Sequence, residues 1–187
     1  MQEEVDFVLD VCKEKMEGAV GHLEKELVHI RAGKASPTML DGVHVEYYGS
    51  LVPLSQVSNV STPDARTIAI QPWEKKLISE IEKAIMAANL GFNPDNNGEI
   101  IRINIPVLTE ERRRGLVKQA HQEGENAKIS VRSARKDAND SLKKLQKDGL
   151  SEDIQKDAEA DVQKMTDNYS KKIDSLVEAK EKDIMTI

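Results

Sequence analysis

The sequence is poor in the residues that usually announce chemistry. Cys12 is its only cysteine, so no intramolecular disulfide can form and no cysteine-rich zinc site can be built. Its place on a helical apolar stripe makes it a buried core thiol rather than a reactive one. The four histidines, His22, His29, His44 and His121, show no ligand spacing. There is no G-x-x-x-x-G-K-[ST] loop, no G-x-G-x-x-G after a strand and no H-E-x-x-H, and the G-x-S-x-G elbow is missing too. Carboxylates are plentiful, but on helices they read as solvated or locally ion-paired groups. No apolar run is long enough to span a membrane. The opening Met-Gln-Glu-Glu lacks the basic region and apolar stretch of a signal peptide. No repeat with a period of about 20 to 50 residues appears. These absences lead to the expectation of a cytoplasmic protein, in which nothing calls for an active site, a cofactor or a metal.

Aromatic residues make up only 3% of the chain, while charged residues reach 32% and hydrophobic ones 39%. That balance argues against disorder and suits long helices with narrow cores. The stretch from Thr109 to Lys147 is the clearest case. It holds no proline to break a helix. Thr109 is placed to cap it, and Glu110 and Glu111 suit the positive end of its dipole. Leu116, Ala120, Gly124, Ala127, Val131, Ala134, Ala138, Leu142 and Leu145 recur at alternating steps of three and four, one buried stripe on a rod roughly 58 Å long. Such a rod needs partner helices. Gln2 to Arg31 supplies one, with Val5, Leu9, Cys12, Met16, Ala19, Leu23, Leu27 and Ile30 inward. The segment after Ser151 supplies another, with Ile154, Ala158, Val162, Met165, Tyr169, Ile173, Leu176 and Ile184 inward.

Glycine and proline gather in the middle third, and the pattern changes there. Strand-like alternation runs over Val43 to Tyr48, Leu51 to Leu54, Val57 to Thr62, Arg66 to Gln71 and Glu99 to Ile105. Pro63-Asp64 reads as a strand stop, and Asn93-Pro94 and Asn96-Asn97-Gly98 read as turns. Lys75 to Ala88 is a short amphipathic helix. The expected fold class is therefore α+β: an elongated three-helix bundle from residues 1–33 and 106–187, with a small β-rich α+β domain, 34–105, inserted on a two-stranded hinge near Ala32–Ser36 and Asn104–Leu108.

Charge is unevenly placed. From Glu110 to Lys147 there are 11 Lys and Arg against 6 Asp and Glu, a net of +5 in a chain of net −6, so the rest carries −11. At about 100° per residue, Lys128, Arg132, Arg135 and Asn139 share one flank beside the buried stripe, with Lys118, Lys136 and Arg114 a little further round. A local cationic stripe on an acidic protein reads either as a solvated helix surface or, more sharply, as a phosphate-binding stripe. The competing reading is a helical adaptor that binds proteins through its acidic faces, which has no need of arginines gathered at Arg132 and Arg135.

Several blocks resemble the bacterial ribosome recycling factor family, and in the same order: R-A-G-K-A-S-P-T-M-L-D-G-V-H-V-E-Y-Y-G from Arg31 to Gly49, E-K-A-I-M-A from Glu82 to Ala87, L-G-F-N-P from Leu90 to Pro94, L-T-E-E-R-R from Leu108 to Arg113, and A-K-I-S-V-R-S-A-R-K-D-A-N-D from Ala127 to Asp140. The resemblance covers essentially the whole chain. It implies a bundle and a β-rich domain set in an L shape of transfer-RNA-like dimensions. It also implies a monomeric, non-enzymatic factor that binds the post-termination ribosome and, with elongation factor G and GTP, splits it into subunits. In the family the bundle contacts large-subunit ribosomal RNA through arginines of its second helix, which the motif places at Arg132 and Arg135. The end of the first helix also contributes, which carries over to Arg31 and Gly33. Lys34 and Lys136 stand where arginine is usual, keeping the charge but losing the bidentate fork. Arg112 and Arg113, with Lys118 and Lys128 of the stripe, complete the candidate RNA-binding set.

Overall fold

A computed structural model describes residues 1–31 and 33–186. The chain separates into two compact units, Met1–Ala32 with Glu110–Ile187, and Gly33–Thr109. Ala32, which belongs to the first expected hinge segment, lies outside the described residues. The architecture is a helical bundle plus a small β-sheet domain, an α+β fold.

Three helices make the first unit: α1 (Gln2–His29), α3 (Glu110–Lys147) and α4 (Glu152–Met185). Each packs against both of the others. On α3 the eight positions from Leu116 to Leu142 of the expected stripe are all buried. The stripe consists largely of alanine and glycine, so the partner backbones can approach closely. A Cβ built on Gly124 would lie 2.5 Å from Val177 Cγ2. In α1, Val20 joins the expected seam and Leu9 is only half-buried. The seam of α4 is rotated from the expected one. Thr166 and Val177 are buried, Met165, Tyr169 and Leu176 are half-buried, and Ile154 is 40% exposed. A polar residue fits this seam because the Thr166 hydroxyl donates to the Val162 carbonyl at 2.8 Å, so its own buried polar group is paired. Ser151 caps α4, its Oγ accepting from the Ile154 N–H at 3.3 Å. Cys12 is buried, with its Sγ 3.8 Å from the Ala134 carbonyl. Among the described residues no helix is long and apolar enough to cross a membrane.

The second unit holds a hairpin of β1 (His44–Tyr47) and β2 (Ser50–Pro53). Beside it lies a four-stranded antiparallel sheet in the order β3 (Ser58–Asp64), β4 (Thr67–Pro72), β6 (Ile101–Asn104), β5 (Pro94–Asn96). Helix α2 (Ile78–Ala87) follows a 3-10 turn at Lys75–Leu77 and turns Ile81 and Ile85 into the core. In the central strands Ile68 pairs with Ile103 and Ile70 with Ile101, all four fully buried. Burying each stabilises the unit by about 1.5–3 kcal/mol relative to exposure.

Two readings of this block change with the sheet in view. Pro63 does not stop β3, which continues to Asp64. β3 is an edge strand, where proline withholds no ladder donor, and the register shifts between Ser61 and Asp64 to pass it. The Asn- and Pro-rich stretch after Asn93 contains an extra strand, β5, on the opposite edge. A further 3-10 turn, Pro37–Leu40, is capped by Ser36, whose Oγ accepts from the Thr38 N–H.

Candidate nucleic-acid interface

The cationic stripe is organised by the packing of α3 between its neighbours. On one side α3 runs antiparallel to α1: Cys12 meets Ala134, Met1 reaches Gly149, and Lys15 pairs with Asp137 at 3.3 Å. On the other side α3 runs antiparallel to α4. His121 Nε2 lies 2.9 Å from Glu181 Oε2, and Lys128 Nζ lies 2.6 Å from Asp174 Oδ1. These two pairs are seven residues apart on both helices. They form rungs of a ladder that staples the α4 flank.

The next step of seven reaches Arg135 on α3 and Asp167 on α4, and there the ladder stops. Asp167 accepts from Gln163 Nε2 at 2.9 Å instead. Arg135 is half-buried, and its side chain makes no hydrogen bond or ion pair among the described residues. The same holds for the exposed Lys118, Lys136 and Arg31 and the half-buried Arg113. Arg132 differs. Its Nη1 donates to Glu125 Oε1 on its own helix at 3.3 Å, and its side chain is 56% exposed. A separation of seven residues returns Glu125 to within about 20° of Arg132 around the helix. Lys128 keeps only 27% of its side chain exposed while held by Asp174.

The structure thus gathers Lys118, Lys128, Arg132, Arg135 and Lys136 along one α3 face, spanning about 27 Å at about 1.5 Å per residue. Arg112 and Arg113 sit in the first turn of the same helix, exposed and half-buried respectively. Arg31 follows the end of α1, and the antiparallel register carries that end toward the N-terminal turns of α3. Gly33 and Lys34 belong to the other unit. Gly33 has φ +74°, and a Cβ there would come within 2.6 Å of Leu108 Cγ. Backbone conformation and close packing both account for that glycine without an RNA contact. Chemically, the face offers guanidinium forks and ammonium groups suited to gripping phosphate oxygens, and among the described residues Lys118, Arg135 and Lys136 offer theirs with no carboxylate partner. Among the described residues no group of three or more His, Cys, Asp or Glu is arranged to hold a metal.

Sequence reasoning missed the carboxylates that sort these cations. Glu125 was readable from its seven-residue spacing to Arg132. Asp174 and Glu181 become partners only once the α3–α4 register is fixed. It also passed over an exposed set on the second unit: Tyr48, Leu51 and Trp73, each 67–73% exposed. There the Lys76 ammonium donates to the Tyr48 hydroxyl at 2.6 Å, and that bond, with Glu74 nearby, holds the ammonium above its ordinary value.

The comparisons with known proteins converge. The family model described as "Ribosome recycling factor" matches residues 23–185. A ribosome-recycling factor of Flavobacterium johnsoniae is 60% identical over 187 residues, covering all of both chains. That of Parabacteroides distasonis is 60% identical over 176 residues, 94% of each chain. That of Porphyromonas gingivalis is 55% identical, covering 98% of this chain and all of its own. A solution structure of a ribosome recycling factor superposes with a TM-score of 0.76 at 39% identity, covering 98% of each chain. A second structure, described as models for the T. thermophilus ribosome recycling factor and the E. coli elongation factor G bound to the E. coli post-termination complex, gives 0.61 at 43% identity, covering 97% of this chain and 99% of that one.

Proposed function

The chain belongs to the ribosome recycling factor family, and from that premise we propose that it binds the post-termination ribosome and, with elongation factor G and GTP, separates it into subunits for new rounds of translation. It does so in the cytoplasm and without catalysis of its own, since GTP hydrolysis belongs to the elongation factor. The observation that carries this reading is identity along the whole chain to ribosome-recycling factors, 60% over 187 residues in one case. The relative of known structure on the post-termination complex supplies the two partners.

Within this role the α3 face is the surface that meets ribosomal RNA. Arg135 and Arg132 are its central contacts, Lys118, Lys128 and Lys136 extend it along the helix, and Arg31, Arg112 and Arg113 extend it toward the start of α3. Recognition is of backbone shape more than base sequence, as is usual for folded RNA helices. Light scattering of purified ribosomes tests the function. Scattering should fall only when this protein, elongation factor G and GTP are all present. No fall with all three would overturn the proposal.

A further inference from the structure

A carboxylate inside a phosphate-binding stripe is out of place unless it does something there. Glu125 lies within the same sector of α3 as Arg132, and its side chain is 51% exposed, so it meets any polyanion that reaches the stripe. It takes a single donor of Arg132, the Nη1, at 3.3 Å. A guanidinium carries five N–H donors, so the remaining ones stay available on the far side of that contact.

Resting on the reading of this face as the RNA contact, we propose that Glu125 is a positioning residue that sets the selectivity of the stripe. It ties one donor of Arg132 in the free protein and adds a fixed negative charge beside it. A loose, flexible polyanion finds that part of the stripe neutralised and gains little there. A folded RNA that presents a phosphate at a fixed position completes the free donors while Glu125 keeps hold of Nη1. The stripe therefore discriminates by geometry where a bare cationic strip would bind any phosphate backbone. This matters for an acidic protein of net charge −6 whose cations are concentrated on one helix. The neighbouring ladder follows the same logic: Asp174 occupies Lys128 and Glu181 meets His121, while among the described residues Lys118, Arg135 and Lys136 of the stripe have no acid partner.

The test is Glu125→Gln in the full chain, which keeps size and helix propensity but removes the charge. Binding is measured to poly(U), as a flexible polyanion, and to vacant ribosomes, each across a potassium chloride series. Poly(U) binding should tighten severalfold and its log–log salt slope should steepen by about 0.7, the value for one further phosphate contact on a single strand. Ribosome binding should change less, so the ratio between the two targets falls. In an Arg132→Ala background the same substitution should lose most of its effect on poly(U), because it acts through Arg132. Unchanged poly(U) binding, equal tightening on both targets, or an undiminished effect without Arg132 would each overturn the proposal. If Arg132→Ala leaves ribosome binding intact, the assignment of this face fails instead, and the poly(U) comparison still decides the role of Glu125.

Discussion

Replacing Gly124 by alanine sets two effects of similar size against each other, and the structure decides between them. Within a helix, alanine is favoured over glycine by about 0.8–1.0 kcal/mol. Propensity alone therefore predicts a more stable bundle. Gly124 is buried, however, and the added Cβ would stand 2.5 Å from Val177 Cγ2 and 3.9 Å from Ile173 Cγ2. The nearer atom is a methyl on a β-branched side chain held to one rotamer in a helix, so it cannot swing aside. Relief requires α3 and α4 to move apart, and overpacking of this kind costs about 1–3 kcal/mol. The net expectation is destabilisation by about 1 kcal/mol, which for a chain of this size lowers the melting temperature by about 2–4 °C. The helical signal at 222 nm during heating or urea titration reads it. Val177→Ala supplies the internal check. It opens the space the new Cβ needs, so Gly124→Ala/Val177→Ala should be more stable than the sum of the single changes allows, by about 0.5 kcal/mol or more. An alanine variant as stable as the parent, or additive single and double changes, would falsify the close-approach argument.

Further outcomes follow from the same packing. Replacing residues 34–105 with a short flexible linker should leave a cooperatively unfolding helical bundle, because α1, α3 and α4 each pack against both of the others; gradual, uncooperative loss of the 222 nm signal would refute it. That variant should also fail to split ribosomes in the light-scattering assay. Burial pushes the Cys12 thiol up, against the pull of Lys15. The folded chain thus holds the thiol proton longer than the unfolded one. Its contribution to stability is complete below the ordinary thiol value of about 8.5 and is lost as pH rises through the raised folded value. Alkylation by iodoacetamide at pH 8 should accordingly be slow in the native protein and fast in urea, and equal rates would contradict the burial of Cys12.

The helical part of this fold is legible in the sequence because its seams are nearly pure periodicity. From Leu116 to Leu142 every small or apolar residue at steps of three and four is buried on α3. The reading weakens where a polar side chain satisfies itself, as Thr166 does against the Val162 carbonyl, since nothing in the pattern marks such a threonine as buried. It weakens again at the sheet edges, where Pro63 and Pro94 imitate turns but occupy strands whose outer donors no neighbour requires. The cationic face is legible as charge, but its division into engaged and unengaged groups is legible only in part: Glu125 stands seven residues from Arg132 on α3 itself, whereas the partners of His121 and Lys128 depend on the register between α3 and α4. Sequence alone treats Arg132 and Arg135 alike. The structure separates them. Arg135 can accept a phosphate without breaking any contact, whereas Arg132 enters the complex already bound to Glu125. An exposed ion pair is worth only about 0.2–1 kcal/mol, yet sharing or exchanging it offsets part of what the phosphate contact contributes. Arg135→Ala should therefore weaken ribosome binding more than Arg132→Ala, by up to about fivefold on that figure. Both should lessen the salt dependence of binding, while Lys147→Ala at the far end of α3 does little. Melting temperature should barely move for Arg132→Ala, because its ion pair is exposed and local. A larger loss from Arg132 than from Arg135 would refute this ordering.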